Sequence, residues 1–425
     1  MEKTVAFATL GCKVNQYDTQ SIRKQFTDAG WETVPFTEAA DAYVINTCTV
    51  TGEAARKSRQ MIRRARRVNP DAAIAVVGCL SQQQGEALLE LPGVTLIVGT
   101  DDRRDLPQRL DAGNAVTGIG PVRAFEEMPI DAGWERARAV VKIQDGCDRY
   151  CAYCIIPYVR GRIRSRDPEH VIEEVKRLTA AGYKEIILTG IHVSSYGKER
   201  GDITLPALVE RVHAIEGVQR LRVGSLEPDH MRVEWIEVFS ALPKICRHYH
   251  LSLQSGSDAV LERMHRRYDT TRFTEVVESL RMHIPDVAIT TDVIVGFPGE
   301  TEAAFAESLA YVEKIGFSRV HVFPYSRREG TKAAGMPGQI PKAVKADRVR
   351  RMIEIARRGQ SRYMEAQIGK TLEVLFEEEK DGLWEGYTDT YVRVAMESGE
   401  DLQGEIRSVR LDAVEGELIA GSLSS

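Results

Sequence analysis

The chain has no long apolar run. No stretch approaches the roughly 18 apolar residues a membrane helix needs, so no membrane partner is expected. The N-terminal MEKTVAFATL lacks a charged-then-apolar leader and reads as a first strand, which points to a cytoplasmic protein. Cysteine is sparse: seven in 425 residues, an odd number without a secretion signal, excludes a disulfide framework and favours reduced thiols, some held by metal. Low-complexity segments and fixed-period repeats are absent, which sets aside solenoids and linkers. What remains is a chain long enough for two or three buried cores. Its net charge of −5 hides a division: residues 371–425 carry fourteen Asp/Glu and four Lys/Arg, a local −10 that leaves +5 on the rest.

TVAFATLGC, DAYVINTC and AAIAVVGC are short β-branched runs that each end at a cysteine, and VTLIVG is a fourth. Helices are expected between them, from Asn15 to Ala29 with Gly30 as a stop, and from Glu53 to Val68 with Pro70 beyond. Strand and helix in alternation predict an open parallel sheet, and ligands of such sheets sit beyond the carboxyl ends of the strands. Cys12, Cys48 and Cys79 all fall there, so they should converge on one sheet edge. The alternative is three small buried side chains, which leaves their place at three successive strand ends unexplained.

A second strand-helix series runs from about 140 to 325 through RAVVKIQDG, KEIILTG, QRLRVGS, RHYHLSLQ, VAITTDVIVGF and SRVHVFPY. Six β/α units predict a partial (β/α)6 barrel with function at the C-terminal strand ends. A charged helical connector follows, and the tail then alternates apolar and polar residues as a small antiparallel β-barrel would. The expected class is therefore α/β with a terminal β-barrel, divided at 1–120, 133–340, 341–369 and 370–425.

GCDRYCAYCI, at 146–155, follows the first strand of the second series. Its spacing, C-x3-C-x2-C, lacks a fourth ligand at ferredoxin distance and a His pair for a zinc finger. Three thiolates on a [4Fe-4S] cube leave one iron open, as a catalytic metal site leaves a position for substrate. Zinc held with a distant histidine, His192 or His250, is the competing reading.

With Cys147, Cys151, Cys154 and Tyr153 in this pattern, the chain resembles the radical S-adenosylmethionine (radical SAM) superfamily. The resemblance implies that the three cysteines hold a [4Fe-4S] cluster, and that S-adenosylmethionine chelates its open iron and is cleaved to a 5′-deoxyadenosyl radical. It also implies that Tyr153 flanks the adenine. TGIHVSSYG, GSLEP, LSLQSGS and TDVIVGFPGET resemble further family motifs, in which Gly190 and Gly296 let backbone approach the nucleoside and Glu227, Gln254 and Ser255 hydrogen-bond it. Adding the trio in GCKVNQ, NTCTVT and VGCLSQ, and the tail as a TRAM-type barrel, the chain resembles the methylthiotransferases over essentially its full length. That resemblance implies a second [4Fe-4S] cluster on Cys12, Cys48 and Cys79, able to hold a sulfide or methylthio group. One S-adenosylmethionine would methylate that sulfur and a second would generate the radical, with an electron donor such as flavodoxin or ferredoxin. The target C–H bond is too weakly acidic for a side-chain base near neutral pH, so no acid or base residue is assigned and the cofactor carries the chemistry.

LGCKVNQYD and NTCTVTGEAARKSRQ resemble the branch acting on tRNA N6-threonylcarbamoyladenosine rather than the YGCQMN-like isopentenyladenosine branch or the GCPKN-like ribosomal-protein branch. A tRNA partner agrees with RKSRQMIRRARR. On a helical projection Arg56, Lys57, Arg59, Arg63, Arg64, Arg66 and Arg67 share one half, and Ala54, Ala55, Met61, Ile62, Ala65 and Val68 the other. A solvated helix face normally mixes signs, whereas seven cations without an acid suit phosphate. Arg160 and Arg162, with Arg164 and Arg166, extend this character beside the cysteine loop, unless they pair with barrel acids. The tail, at −10, should repel phosphate. Of Trp384, Tyr387 and Tyr391, which could stack on bases, two are expected in the barrel core. Cys246 and the histidines read as structural. Anaerobic reconstitution should load about eight irons per chain. That content should halve when either trio is replaced by Ala, with reductive cleavage of S-adenosylmethionine lost only without Cys147, Cys151 and Cys154. One zinc per chain would end the radical reading.

Overall fold

The computed structural model of the chain describes residues 3–113, 115–122, 124–130 and 137–424. Strands β1 (Thr4–Thr9), β2 (Glu32–Thr33), β3 (Ala42–Thr47), β4 (Ala73–Gly78), β5 (Val94–Val98) and β6 (Ala115–Thr117) form one parallel sheet in the order β2-β1-β3-β4-β5-β6. Every residue of β3 is buried, as a parallel strand covered on both faces should be. Alternation divides the core: Tyr43, Ile45, Ile74 and Val76 pack on one face with Ile62, and Val44, Ala75 and Val77 on the other with Ile22 and Phe26. Helices α1 (Lys13–Asp28) and α2 (Gly52–Val68) begin two and one residues before the expected starts. The Thr51 hydroxyl sets the start of α2 by accepting the Ala54 N–H at 3.0 Å. The edge strands β2 and β6 are too short to show a period of their own and were not expected.

Beyond these, β7 (Arg138–Lys142) leads into a short antiparallel pair, β8 (Gln144–Asp145) with β9 (Arg164–Ser165). Strands β10 (Glu185–Thr189), β11 (Arg220–Val223), β12 (His248–His250), β13 (Ala288–Val295) and β14 (Arg319–Pro324) follow. The parallel sheets β11-β10-β7 and β12-β13-β14 are joined by isolated bridges such as Leu221 to Ile245 and Leu226 to Leu251. Six strands therefore make the partial barrel. Its expected start, residue 133, lies outside the described residues. A connector helix, Lys342–Glu365, packs along β14. No helix among the described residues is long and apolar enough to cross a membrane.

The tail closes as a five-stranded barrel of β15 (Thr371–Lys380), β16 (Leu383–Thr388), β17 (Arg393–Met396), β18 (Ile406–Glu415) and β19 (Leu418–Leu423), in the order β15-β16-β17-β19-β18. Its pairs are antiparallel except β17 with β19. The tail's acidity has a destination inside the chain, at the N-terminal ends of the partial-barrel strands. Glu377 pairs with Arg138 at 2.5 Å, Asp389 with Arg247 at 2.7 Å and Glu405 with Lys184 at 2.8 Å. Arg220 also donates to the carbonyls of Glu373 and Tyr387.

The N-terminal sheet and the partial barrel meet over a buried ion network. Asp18 of α1 takes Arg103 at 2.6 Å, Lys142 at 2.9 Å and Arg160 at 3.4 Å. Asp145 takes Lys142 at 2.6 Å, Arg160 at 2.9 Å and Arg164 at 3.7 Å, and Glu126 takes Arg103 at 2.8 Å. Burial works to raise the Asp18 pKa, but Arg103, Lys142 and Arg160 overcome it and hold it at about 2. Being depressed, this carboxylate contributes its full stability above roughly pH 4 and loses it as pH falls through about 2. Asp18→Asn leaves buried cations short of a partner, which is expected to cost roughly 3–5 kcal/mol. Calorimetry at neutral pH should record a lower Tm; a variant melting like the parent chain would deny the network its structural role.

Candidate functional site

Three thiols lie at the carboxyl edge of the first sheet, as the strand-end pattern predicted. Cys12 caps α1, Cys48 directly follows β3 and Cys79 directly follows β4. Gly11, at φ +103°, lets the first loop approach the second: a Cβ there would lie 2.9 Å from Cys48 Cβ. Asn15 laces the two loops by donating to the carbonyls of Leu10 (2.7 Å) and Thr47 (3.0 Å). Its side-chain oxygen accepts from Arg160 Nη2 at 2.6 Å, and Arg160 Nε donates to Cys79 Sγ at 3.2 Å. Cys12 is exposed, while Cys48 and Cys79 are buried. Burial, aided by the neighbouring thiols, pushes Cys48 up to about 11 and raises Cys79.

The second trio sits on the loop after β8. Gly146, at φ +72°, faces the Arg162 carbonyl so closely that a Cβ would stand 1.9 Å from its oxygen. The Cys147 N–H donates to Gly161 and the Ala152 N–H to Met264, fastening the loop at both ends. Burial pushes Cys147 and Cys154 up to about 12, so these free thiols are protonated near neutral pH and metal binding must displace the protons. Among the described residues no group of three Cys, His, Asp or Glu is gathered tightly enough for a single ion. A four-iron cube binds each thiolate through a separate iron and takes its ligands further apart. The two trios adjoin, since Cys79 packs against Ile155 and Val159, just beyond Cys154.

Sequence reasoning missed Arg266. It follows the helix Asp258–Arg263, where HRRYD carries no diagnostic spacing. Its guanidinium nonetheless joins the parts of the site: Nη1 donates to Cys151 Sγ at 3.2 Å and to the Tyr153 hydroxyl at 3.4 Å, and Nη2 to Glu227 Oε2. Burial opposes its charge, yet Glu227 and Tyr153 hold its pKa well above the usual arginine value. The histidines considered for zinc have other partners. Buried His192 accepts from Arg149 at 3.1 Å and contacts the Ser195 hydroxyl, while desolvation and Arg149 keep it neutral; His250 faces Asp292 at 3.3 Å.

The remaining expected residues divide. Gln254, at φ +66°, ends a bridge to β13, and Gly190 stands against Gln144. Ser255 is fully buried and bonds within its loop to the Ser257 N–H at 3.3 Å. Gly296 turns its bare face to Lys345 of the connector helix, where a Cβ would meet Cγ at 2.2 Å. On α2, Lys57, Arg63, Arg64 and Arg67 are exposed, Arg59 and Arg66 half-buried, and Arg56 is paired with Glu53 at 2.5 Å. Arg160 corrects the sequence reading: it has no exposed surface, and its charge is taken up by Asp145, Asp18 and Cys79, so it cannot meet RNA. Arg164 and Arg166 are buried with it, and only Arg162 of that run is exposed. Trp384 is core; Tyr387 and Tyr391 stack on each other at 4.9 Å, with Tyr391 also on His248 and under Arg222, which occupies the faces a base would need.

Two family descriptions match the chain: Uncharacterized protein family UPF0004 over residues 4–99 and the Radical SAM superfamily over residues 141–312. The chain is 44% identical to the threonylcarbamoyladenosine tRNA methylthiotransferase MtaB of Bacillus subtilis, across 96% of this chain and 93% of that protein. It is 38% identical to the MtaB of Thermotoga maritima, across 98% and 96%. Identity is 39% to the tRNA-2-methylthio-N(6)-dimethylallyladenosine synthase of Moorella thermoacetica, across 99% and 98%. In fold it is similar to the radical S-adenosylmethionine methyltransferase TsrM of Kitasatospora setae, with a TM-score of 0.56 and 15% identity over 78% of this chain and 77% of that one.

Proposed function

The chain belongs to the radical SAM tRNA methylthiotransferases, and from that premise we propose that it installs a methylthio group at C2 of N6-threonylcarbamoyladenosine beside the tRNA anticodon. The observation that carries this reading is the near full-length similarity to threonylcarbamoyladenosine tRNA methylthiotransferases, up to 44% identity. Dimethylallyladenosine is the second reading, favoured by the Moorella relative at 39%.

Cys147, Cys151 and Cys154 are assigned to the cluster that binds S-adenosylmethionine, and Cys12, Cys48 and Cys79 to a second [4Fe-4S] cluster. The donor sets suit such groups: three thiols each, with a guanidinium N–H on one sulfur of each set, from Arg266 and Arg160. When bound, the radical cluster and S-adenosylmethionine supply hydrogen abstraction from an unactivated C–H bond. The chain's own residues orient and shield that chemistry. Arg266 ties Cys151, Tyr153 and Glu227 together, while Ile155 and Val159 pack against Cys79 between the trios. The exposed cations of α2, with Arg162, are assigned to the tRNA phosphates. Flavodoxin or ferredoxin is the proposed electron donor.

Nucleosides of tRNA from cells with and without the gene decide the substrate. Deletion should abolish 2-methylthio-N6-threonylcarbamoyladenosine by mass spectrometry; an unchanged level would sink this assignment. Hydrogen bonds to cluster sulfurs tune the potential, and the donor here is cationic. Arg266→Met should therefore shift the midpoint potential of one cluster to more negative values in an EPR-monitored titration while the other stays put. Equal shifts in both, or none, would remove Arg266 from this role.

A further inference from the structure

A cavity of about 990 Å³ opens inside the radical barrel, at the level of mid-strand Val140 and Ile187 and below the cysteine loop. This is the size of a small-molecule site. Two cations enter it from different elements. Lys13 reaches in from the start of α1, next to Cys12, and among the described residues it has no ion pair or hydrogen bond. Arg138 lies at the head of β7; Glu377 holds its Nε and Nη2, while Nη1 is buried without a hydrogen-bond partner. Tyr391 closes the lower wall. A buried guanidinium N–H left unpaired is uncommon enough to need a reason, and a free ammonium beside it makes the inner cavity a place for an anion.

Of the acids around the cavity, Glu377 is bound to Arg138, buried Glu185 acts on Lys13 but is held by Arg222 at 2.9 Å, and Glu378, Glu379, Glu400 and Asp401 are exposed at the outer mouth, so the Lys13 ammonium is the charge left to meet an anion. That acidic mouth repels an RNA backbone, so a nucleotide would enter from the opposite end, where both cysteine trios lie. The chemistry of the substrate proposed above then matters. Its N6 substituent ends in the free carboxylate of threonine, whereas a dimethylallyl group ends in hydrocarbon and offers no acceptor to the Lys13 ammonium or to Arg138 Nη1. We infer that this cavity, lined by Lys13 and Arg138, is the subsite for the threonyl carboxylate of the modified adenosine, an assignment that rests on the substrate reading above.

The test uses reconstituted holoenzyme and anticodon stem-loop RNAs that differ only at the adenosine: threonylcarbamoyl, its methyl ester, and isopentenyl. Fluorescence anisotropy at fixed salt should give the ester an affinity about 10- to 100-fold below the acid, the value of a charge-assisted hydrogen bond. Lys13→Met, with unchanged iron content, should bind the acid as weakly as the parent enzyme binds the ester and should no longer tell them apart; Lys13→Arg should restore the difference. Equal affinity of the parent enzyme for acid and ester overturns the inference without any variant. So does a Lys13→Met enzyme that still discriminates. Methylthiolation of the isopentenyl RNA but not the threonylcarbamoyl RNA overturns the substrate reading together with the subsite; conversion of the latter without acid-ester discrimination overturns the subsite alone.

Discussion

Asp18 and Asp145 hold the molecule together where two folding units meet. Four buried cations, Arg103, Lys142, Arg160 and Arg164, converge on these carboxylates and Glu126. Four positive charges against three negative ones leave one positive charge in excess, and Arg160 turns it toward Cys79. Removing charges from water is expensive, and an attraction this deep repays the cost only when each partner stays in place. The network therefore makes the relative position of the two thiol trios a condition of burying any of these residues. On the proposed assignment of the two trios, sulfur and radical act on the same carbon, and this network holds the trios in one relation for it.

Charge of opposite sign organises the other end of the barrel. An acidic tail looked unsuited to an RNA enzyme while it was considered alone. In the folded chain Glu377, Asp389 and Glu405 meet Arg138, Arg247 and Lys184 across the interface with the radical barrel. Stacked Tyr387 and Tyr391 fill the same interface. The tail thus closes the lower end of the lumen, and its remaining acids guard that opening. Cations with exposed surface on α2 stand near the other end, where Gly52 at the helix start donates to Ser326 just beyond β14.

Much of the architecture was legible from period and punctuation. Parallel strands buried on both faces read as short apolar runs, so β1, β3, β4 and β5 and the six barrel strands could be found. The cysteines were legible because strand ends mark the functional edge of such sheets. Strands of two or three residues carry no period, and β2 and β6 were missed for that reason. A parallel β17–β19 pair within a tail of alternating residues was equally silent, because pairing direction depends on which strands become neighbours.

The sequence by itself determined the chemistry on offer: two sets of three thiols, a basic helix, an acidic tail and the order of the elements that present them. Tertiary structure alone decided which charges remain free to act. Arg160 and Arg162 look alike in VRGRIRSR, yet the first is locked between Asp145 and Cys79 and the second is exposed. No motif announced Arg266, and Lys13 stood in LGCKVNQYD without an assigned role. Their surroundings come from other elements, Glu227, Cys151 and Tyr153 around Arg266 and Arg138 and Tyr391 around Lys13, and a local pattern cannot encode a field that exists only after the chain has brought those charges together.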